Sequence, residues 1–208
     1  MTNQISERLA EMPAVAILRG VTEDQILAVA DVILAAGIGI IEVPLNSPNA
    51  INSIKILCAE RRGQGVFGCG TCTDLKSLEQ VASAGAELVV TPNVDPAIIR
   101  AAIAHDMTPM PGCMTPSEAF SAYHAGARYL KLFPAASVGL AHYQAMQAVL
   151  PTDINVLAVG GVGADSAAQW IDAGMCGIGV GSELFKPGRS IDDIAKRAKQ
   201  IAKSLTER

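Results

Sequence analysis

The chain has 208 residues, half of them hydrophobic but only 4% aromatic, and 16 Lys and Arg against 20 Asp and Glu leave a net charge of −4. Such a chain buries a core of small and branched aliphatics rather than staying disordered, and its acidity offers no general attraction to nucleic acid. Its apolar runs are too short to span a bilayer, its polar start lacks a signal-peptide core, and five cysteines without an export signal fit reduced thiols in a cytoplasm.

In chain order, Ile5 and Leu9 come first; four residues apart, they predict a short helix over 4–11 with one face for the core. Eight short apolar runs follow, at 14–18, 39–43, 65–69, 88–91, 108–110, 129–132, 155–158 and 177–180. Their starts lie 20–26 residues apart, which fits a strand, a loop, a helix and a second loop. Helix signals fall between them. Thr22-Glu23-Asp24-Gln25 opens one that Gly37 closes, and Thr73-Asp74-Leu75-Lys76 opens one closed near Gly85. Thr115-Pro116-Ser117-Glu118 sets an N-cap, a proline at the first helical position and a Glu three residues after the Thr, with Gly126 at the far end. Gly163 or Asp165 starts a helix that Gly174 ends. Each of these four helices closes on Ala-Gly, as a left-handed terminal residue requires. The stripe Ile191, Ile194, Ala195, Ala198, Ile201 and Ala202 predicts a last helix over 191–205. Eight strand–helix units without a composition break predict one α/β domain over 1–208, a (β/α)8 TIM barrel near the lower length limit of about 200 residues. An open doubly wound sheet is the rival architecture.

In such a barrel the reacting groups come from the C-terminal ends of the strands. The polar residues there are Arg19, Glu42, Thr71, the Thr91-Pro92-Asn93 and Pro111-Gly112-Cys113 segments, Lys131, Gly160 with Gly161, and Gly181 with Ser182. Lys131 stands inside Tyr129-Leu130-Lys131-Leu132, where lost hydration favours a neutral amine able to attack a ketone. A structural lysine paired with a buried carboxylate reads the same residues. Glu42, inside Ile40-Ile41-Glu42-Val43, is desolvated toward a pKa useful for moving protons. Glycines at the seventh and eighth strand ends, in Val159-Gly160-Gly161-Val162-Gly163 and Gly179-Val180-Gly181-Ser182, suit phosphate held by backbone N–H groups; ordinary turns would also use them. Cys69-Gly70-Thr71-Cys72 has the spacing of a redox or zinc pair but lacks a second pair or a histidine cluster. His105, His124 and His142 fall in helical segments away from strand ends, which argues against a metal-dependent epimerase, and no metal is expected.

Taken together, Ala16-Ile17-Leu18-Arg19-Gly20, Ile41-Glu42-Val43-Pro44-Leu45-Asn46-Ser47-Pro48, Gly68-Cys69-Gly70-Thr71, Val90-Thr91-Pro92-Asn93, Lys131-Leu132-Phe133-Pro134, Val159-Gly160-Gly161-Val162 and Gly181-Ser182 resemble, in family order, the bacterial class I aldolases that cleave 2-keto-3-deoxy-6-phosphosugar acids. Pro44-Leu45-Asn46-Ser47 after the glutamate and Val159 before the glycine pair place the chain nearer the galactonate branch than the gluconate branch. Cys69 and Cys72 depart from the small or aliphatic residues more usual there. The resemblance implies that Lys131 forms an imine with C2 of the keto acid and needs no other cofactor. It implies that Glu42 shuttles protons, that Arg19 and Thr71 anchor the anionic substrate, and that Gly160, Gly161, Gly181 and Ser182 hold its phosphate. The products would be pyruvate and D-glyceraldehyde 3-phosphate, and the assembly a cytoplasmic homotrimer. A gluconate or dual-specificity aldolase, or a phosphosugar-binding barrel without turnover, are the alternatives.

Overall fold

The computed structural model describes residues 2–207; the ends of the predicted domain, Met1 and Arg208, lie outside the described residues. Its strands are β1 (Ala14–Ile17), β2 (Ile40–Pro44), β3 (Val66–Gly70), β4 (Leu88–Val90), β5 (Thr108–Met110), β6 (Gly112–Cys113), β7 (Tyr129–Leu132), β8 (Asn155–Val159) and β9 (Gly177–Val180). The helices are α1 (Thr2–Glu11), α2 (Ile26–Ala35), α3 (Ala50–Glu60), α4 (Leu75–Ser83), α5 (Pro96–Ala104), α6 (Pro116–His124), α7 (Ala135–Gln147), α8 (Ala164–Asp172) and α9 (Ile191–Thr206).

All strand pairs are parallel, in the order β5-β4-β3-β2-β1-β9-β8-β7-β6. The fifth predicted strand, 108–110, is β5; a further short strand, β6, continues it beyond Pro111, which has no N–H to give a ladder. The ring nevertheless closes across that residue. Gly112 N–H donates to the Thr91 carbonyl at 3.0 Å on one side, and the Pro111 carbonyl accepts from Lys131 N–H at 2.9 Å on the other. The open-sheet alternative is thereby excluded.

Glycine sets the helix ends as the sequence indicates. Gly37, Gly85, Gly126 and Gly174 have φ of 90°, 89°, 107° and 97°. In each case the next residue donates back across six residues: Ile38 to Ile33, Ala86 to Val81, Ala127 to Ala122 and Met175 to Trp170. The end of α5 repeats the bond pattern, Met107 to Ala102, but with Asp106 at φ 58°. Thr115 and Glu118 form the expected capping box. Gly163 proves to be the residue that starts α8. The opening of α2 differs: Gln25 and Ile26 both donate to the Thr22 carbonyl at 3.1 Å, so 22–25 is a separate turn and the helix starts at Ile26.

Buried apolar residues form two layers. One lies between strands and helices and includes Ile41, Val43, Leu130, Leu132 and Ile178. The other fills the barrel: Val15, Ile40, Val66, Leu88, Val90, Met110, Tyr129, Leu157 and Val159, closed below by Ile5 and Leu9 of α1. Alternation along a strand assigns these faces. Ile40 and Tyr129 point inward, so Glu42 and Lys131, two residues further on, point inward nearer the C-terminal mouth.

Candidate active site

Lys131 and Glu42 are buried, at 7% and 3% exposure, in a barrel filled mostly with aliphatic side chains. Burial drives the Lys131 pKa down to about 8; Glu42 pulls it back up and Arg19 pushes it further down. Burial also drives Glu42 up to about 7, against the opposing pull of Lys131 and Arg19. Desolvation therefore wins at both groups, bringing an amine and a carboxylic acid toward neutral forms near physiological pH. Glu42 Oε2 is buried and finds no hydrogen-bond partner among the described residues. A buried carboxylate oxygen left unsatisfied is costly, and such cost is commonly retained where the group acts on a ligand.

Gly70 makes room for that carboxylate. A Cβ at position 70 would overlap Oε1, Oε2 and Cδ of Glu42. Thr71 follows with a left-handed φ of 56°, and its hydroxyl lies 3.5 Å from Arg19 Nη2. Arg19 Nη1 also donates to Asn46 Oδ1, so the guanidinium is held between the loops after β2 and β3. The Ser47 hydroxyl accepts from Gly20 N–H at 2.9 Å and binds the first of these loops to the loop after β1.

All eight residues singled out from the sequence — Arg19, Glu42, Thr71, Lys131, Gly160, Gly161, Gly181 and Ser182 — line one cavity of about 990 Å³. That volume lies at the upper end for small-molecule sites. Gly160 and Gly161 adopt φ of 97° and 71° and lead into α8, whose N-cap Gly163 offers no side-chain acceptor. The first turn of α8 thus presents backbone N–H groups at the positive end of its dipole to the cavity.

Other strand-end residues play different parts. The Thr91 hydroxyl turns back to the Asn93 carbonyl, leaving Pro92 as the lining residue of that segment. Cys69 and Cys72 are buried free thiols. A side-chain hydrogen bond with Cys72 and burial hold Cys69 well above the usual thiol range, so it behaves as a packing residue. His105 pairs with Glu79 at 3.0 Å on the helical surface.

Sequence reasoning did not single out Phe133, Lys186 and Arg197, which also line the cavity. The Phe133 ring centroid lies 4.6 Å from Lys131 Nζ. Its position two residues beyond Lys131 was the available signal. Lys186 and Arg197 follow the eighth predicted strand but carry no motif of their own.

A buried lysine and an unpartnered carboxyl thus face one barrel mouth, beside glycine loops and a helix N-terminus. The chain belongs to the KDPG and KHG aldolase family, whose model matches residues 5–199. It is 42% identical over 95% of its length, and 96% of the relative's, to the 2-dehydro-3-deoxy-6-phosphogalactonate aldolase of Escherichia coli strain K12. It is 33% identical over 72% of its length, and 67% of the relative's, to the 2-dehydro-3-deoxy-phosphogluconate aldolase of Pseudomonas aeruginosa PAO1. A solved chain described as "Native KDPGal structure" superposes with a TM-score of 0.93 at 42% identity, covering 95% of this chain and 96% of that one. No described helix is long and apolar enough to cross a membrane.

Proposed function

We propose that the protein is a Schiff-base aldolase that cleaves 2-dehydro-3-deoxy-6-phospho-D-galactonate to pyruvate and D-glyceraldehyde 3-phosphate, with Lys131 as the nucleophile and Glu42 as the proton carrier. The observation that carries this reading is the buried Lys131, held near pKa 8, facing the same cavity as the unpartnered Glu42 carboxyl. Neutral Lys131 attacks C2 of the keto acid to give a carbinolamine. Protonated Glu42 gives its proton to the departing hydroxyl, water leaves and the iminium forms. The Glu42 carboxylate then takes the C4 hydroxyl proton while the C3–C4 electron pair moves into the iminium. D-glyceraldehyde 3-phosphate departs, the enamine is protonated at C3, and water releases pyruvate and the free amine. The iminium accepts the electrons, so this reading assigns no metal or other cofactor. Arg19 and Thr71 hold the anionic end of the substrate, and Gly160, Gly161, Gly181 and Ser182 hold its phosphate by backbone N–H groups and a hydroxyl.

The galactonate substrate is favoured over its C4 epimer by Val159, an apolar side chain on the cavity wall beside Gly160, and by the higher identity to the galactonate enzyme. The working assembly is a homotrimer in the cytoplasm, and light scattering checks the former by returning three subunit masses.

Incubation with pyruvate and borohydride tests the chemistry. A stable adduct at Lys131 is expected by mass spectrometry; its absence defeats the aldolase mechanism and leaves a phosphosugar-binding barrel. Comparing cleavage of the two C4 epimers tests the substrate, and a strong gluconate preference reverses that assignment. The pH dependence follows from the pair. Activity rises as Lys131 loses its proton and falls as Glu42 loses its own, so kcat/KM peaks between about 7 and 8.

A further inference from the structure

The loop after β9 is held from behind by an arginine that does not line the cavity. Leu184 and Phe185 N–H both donate to the Gly181 carbonyl at 2.9 Å, which folds 181–185 into a single turn. The carbonyls at the far end of that turn converge on one side chain. Arg189 Nη1 donates to the carbonyls of Ser182, Glu183 and Leu184 at 3.3, 3.1 and 2.7 Å. Asp193 fixes the guanidinium: its carboxylate lies 3.1 Å from Arg189 Nε and 3.0 Å from Arg197 Nε. Arg197, first, and then Arg189 hold the Asp193 pKa below the usual carboxylate value, so it stays charged. Arg197 Nη1 adds a second donor to the Glu183 carbonyl at 3.1 Å. The Arg189 side chain is only 11% exposed, rare for arginine unless it is fully engaged.

A peptide unit points its C=O and N–H in opposite directions. The Ser182 carbonyl, held by Arg189, therefore aims the Glu183 N–H the other way, and the Gly181 carbonyl, held by the Leu184 and Phe185 N–H groups, does the same for the Ser182 N–H. Those two N–H groups find no acceptor among the described residues, and both residues line the cavity with Gly160 and Gly161. A carbonyl that accepts from a cation polarises the N–H of its own peptide unit, so Arg189 strengthens the Glu183 N–H toward an anion directly and the Ser182 N–H in relay, through the Leu184 and Phe185 donors on the Gly181 carbonyl.

We propose that Arg189, clamped by Asp193, is a positioning residue for substrate phosphate: it sets and polarises the turn after β9 without touching the substrate. The proposal rests on the phosphosugar aldolase reading above. The test compares condensation of pyruvate with D-glyceraldehyde 3-phosphate and with unphosphorylated D-glyceraldehyde. In Arg189→Ala the ratio of kcat/KM for the phosphorylated over the plain aldehyde falls about tenfold, through KM of the phosphorylated one, as loss of charge-assisted order at one anion site implies. The inhibition constant of inorganic phosphate rises by a similar factor. Arg189→Lys, which keeps the cation but cannot hold carbonyls and Asp193 together, falls between wild type and alanine. Asp193→Asn shifts the ratio in the same direction. Equal losses for both aldehydes, or an unchanged ratio in Arg189→Ala and Asp193→Asn, overturn the positioning role. Absence of a Lys131 adduct in the wild type instead overturns the aldolase reading, and this inference with it.

Discussion

The two ends of the barrel interior are built by the same strands and differ in what the inward positions carry. The floor is apolar: Ile5 and Leu9 of α1 pack beneath Val15, Ile40, Val66, Tyr129 and Leu157. Two residues further along β2 and β7 the inward positions become Glu42 and Lys131. The floor contributes stability by removing aliphatic surface from water. The mouth spends some of it, because both ionisable groups are held away from their ordinary pKa by the same dry surroundings. The dry floor is thus what gives the mouth its chemistry.

The largest expected effect is at the mouth. Lys131→Ala abolishes the borohydride-trapped pyruvate adduct and lowers turnover by roughly 10³-fold or more; retention of the adduct would move the nucleophile elsewhere. Glu42→Gln slows turnover by about 10²-fold and removes the falling limb of the pH profile. The same substitution raises Tm. The folded pKa of Glu42, raised to about 7, favours folding below its ordinary value of 4.5, and that contribution is lost as pH rises through about 7. A neutral amide avoids the loss, at about 2–4 °C of Tm for each kcal/mol recovered. A Tm that falls instead, measured at pH 8, would show that the buried carboxyl is a structural partner. At the floor the signs reverse. Leu9→Ala costs about 2–4 kcal/mol of unfolding free energy and leaves kcat unchanged; a matching loss of kcat would mean that floor and mouth are not separable. The smallest effect lies outside both. Asp106→Gly, at the left-handed end of α5, adds about 0.5–1 kcal/mol of stability by thermal melting, with no kinetic consequence.

Much of this was legible from the chain because period and punctuation coincide. The runs at 129–132 and 177–180 became β7 and β9 with the same limits, and the four Ala-Gly pairs became helix ends with the expected reverse bonds. The eight candidate residues converge because parallel strands deliver their C-terminal ends to one rim. What could not be read depends on long-range contact. The short strand β6 beyond Pro111 was not predicted, and the closure there needs Thr91 and Lys131 on either side. The α2 start is displaced because the Thr22 carbonyl captures two donors before the helix begins. The hold of Arg189 on the β9 turn joins residues in no recognisable spacing, and Asn46 becomes the partner of Arg19 only once two loops fold together.

The close fit of Gly70 against Glu42 ties two sequence positions into one heritable unit. While the carboxylate occupies its place, any side chain at position 70 collides with it, so drift is closed there. A descendant could abandon the carboxylate first and then fill position 70 freely. The reverse order passes through a protein with a displaced carboxylate and no new use for the space. Loss of the carboxylate can therefore begin at position 42, and once position 70 is filled the way back requires two changes in a fixed order, glycine at 70 before glutamate at 42.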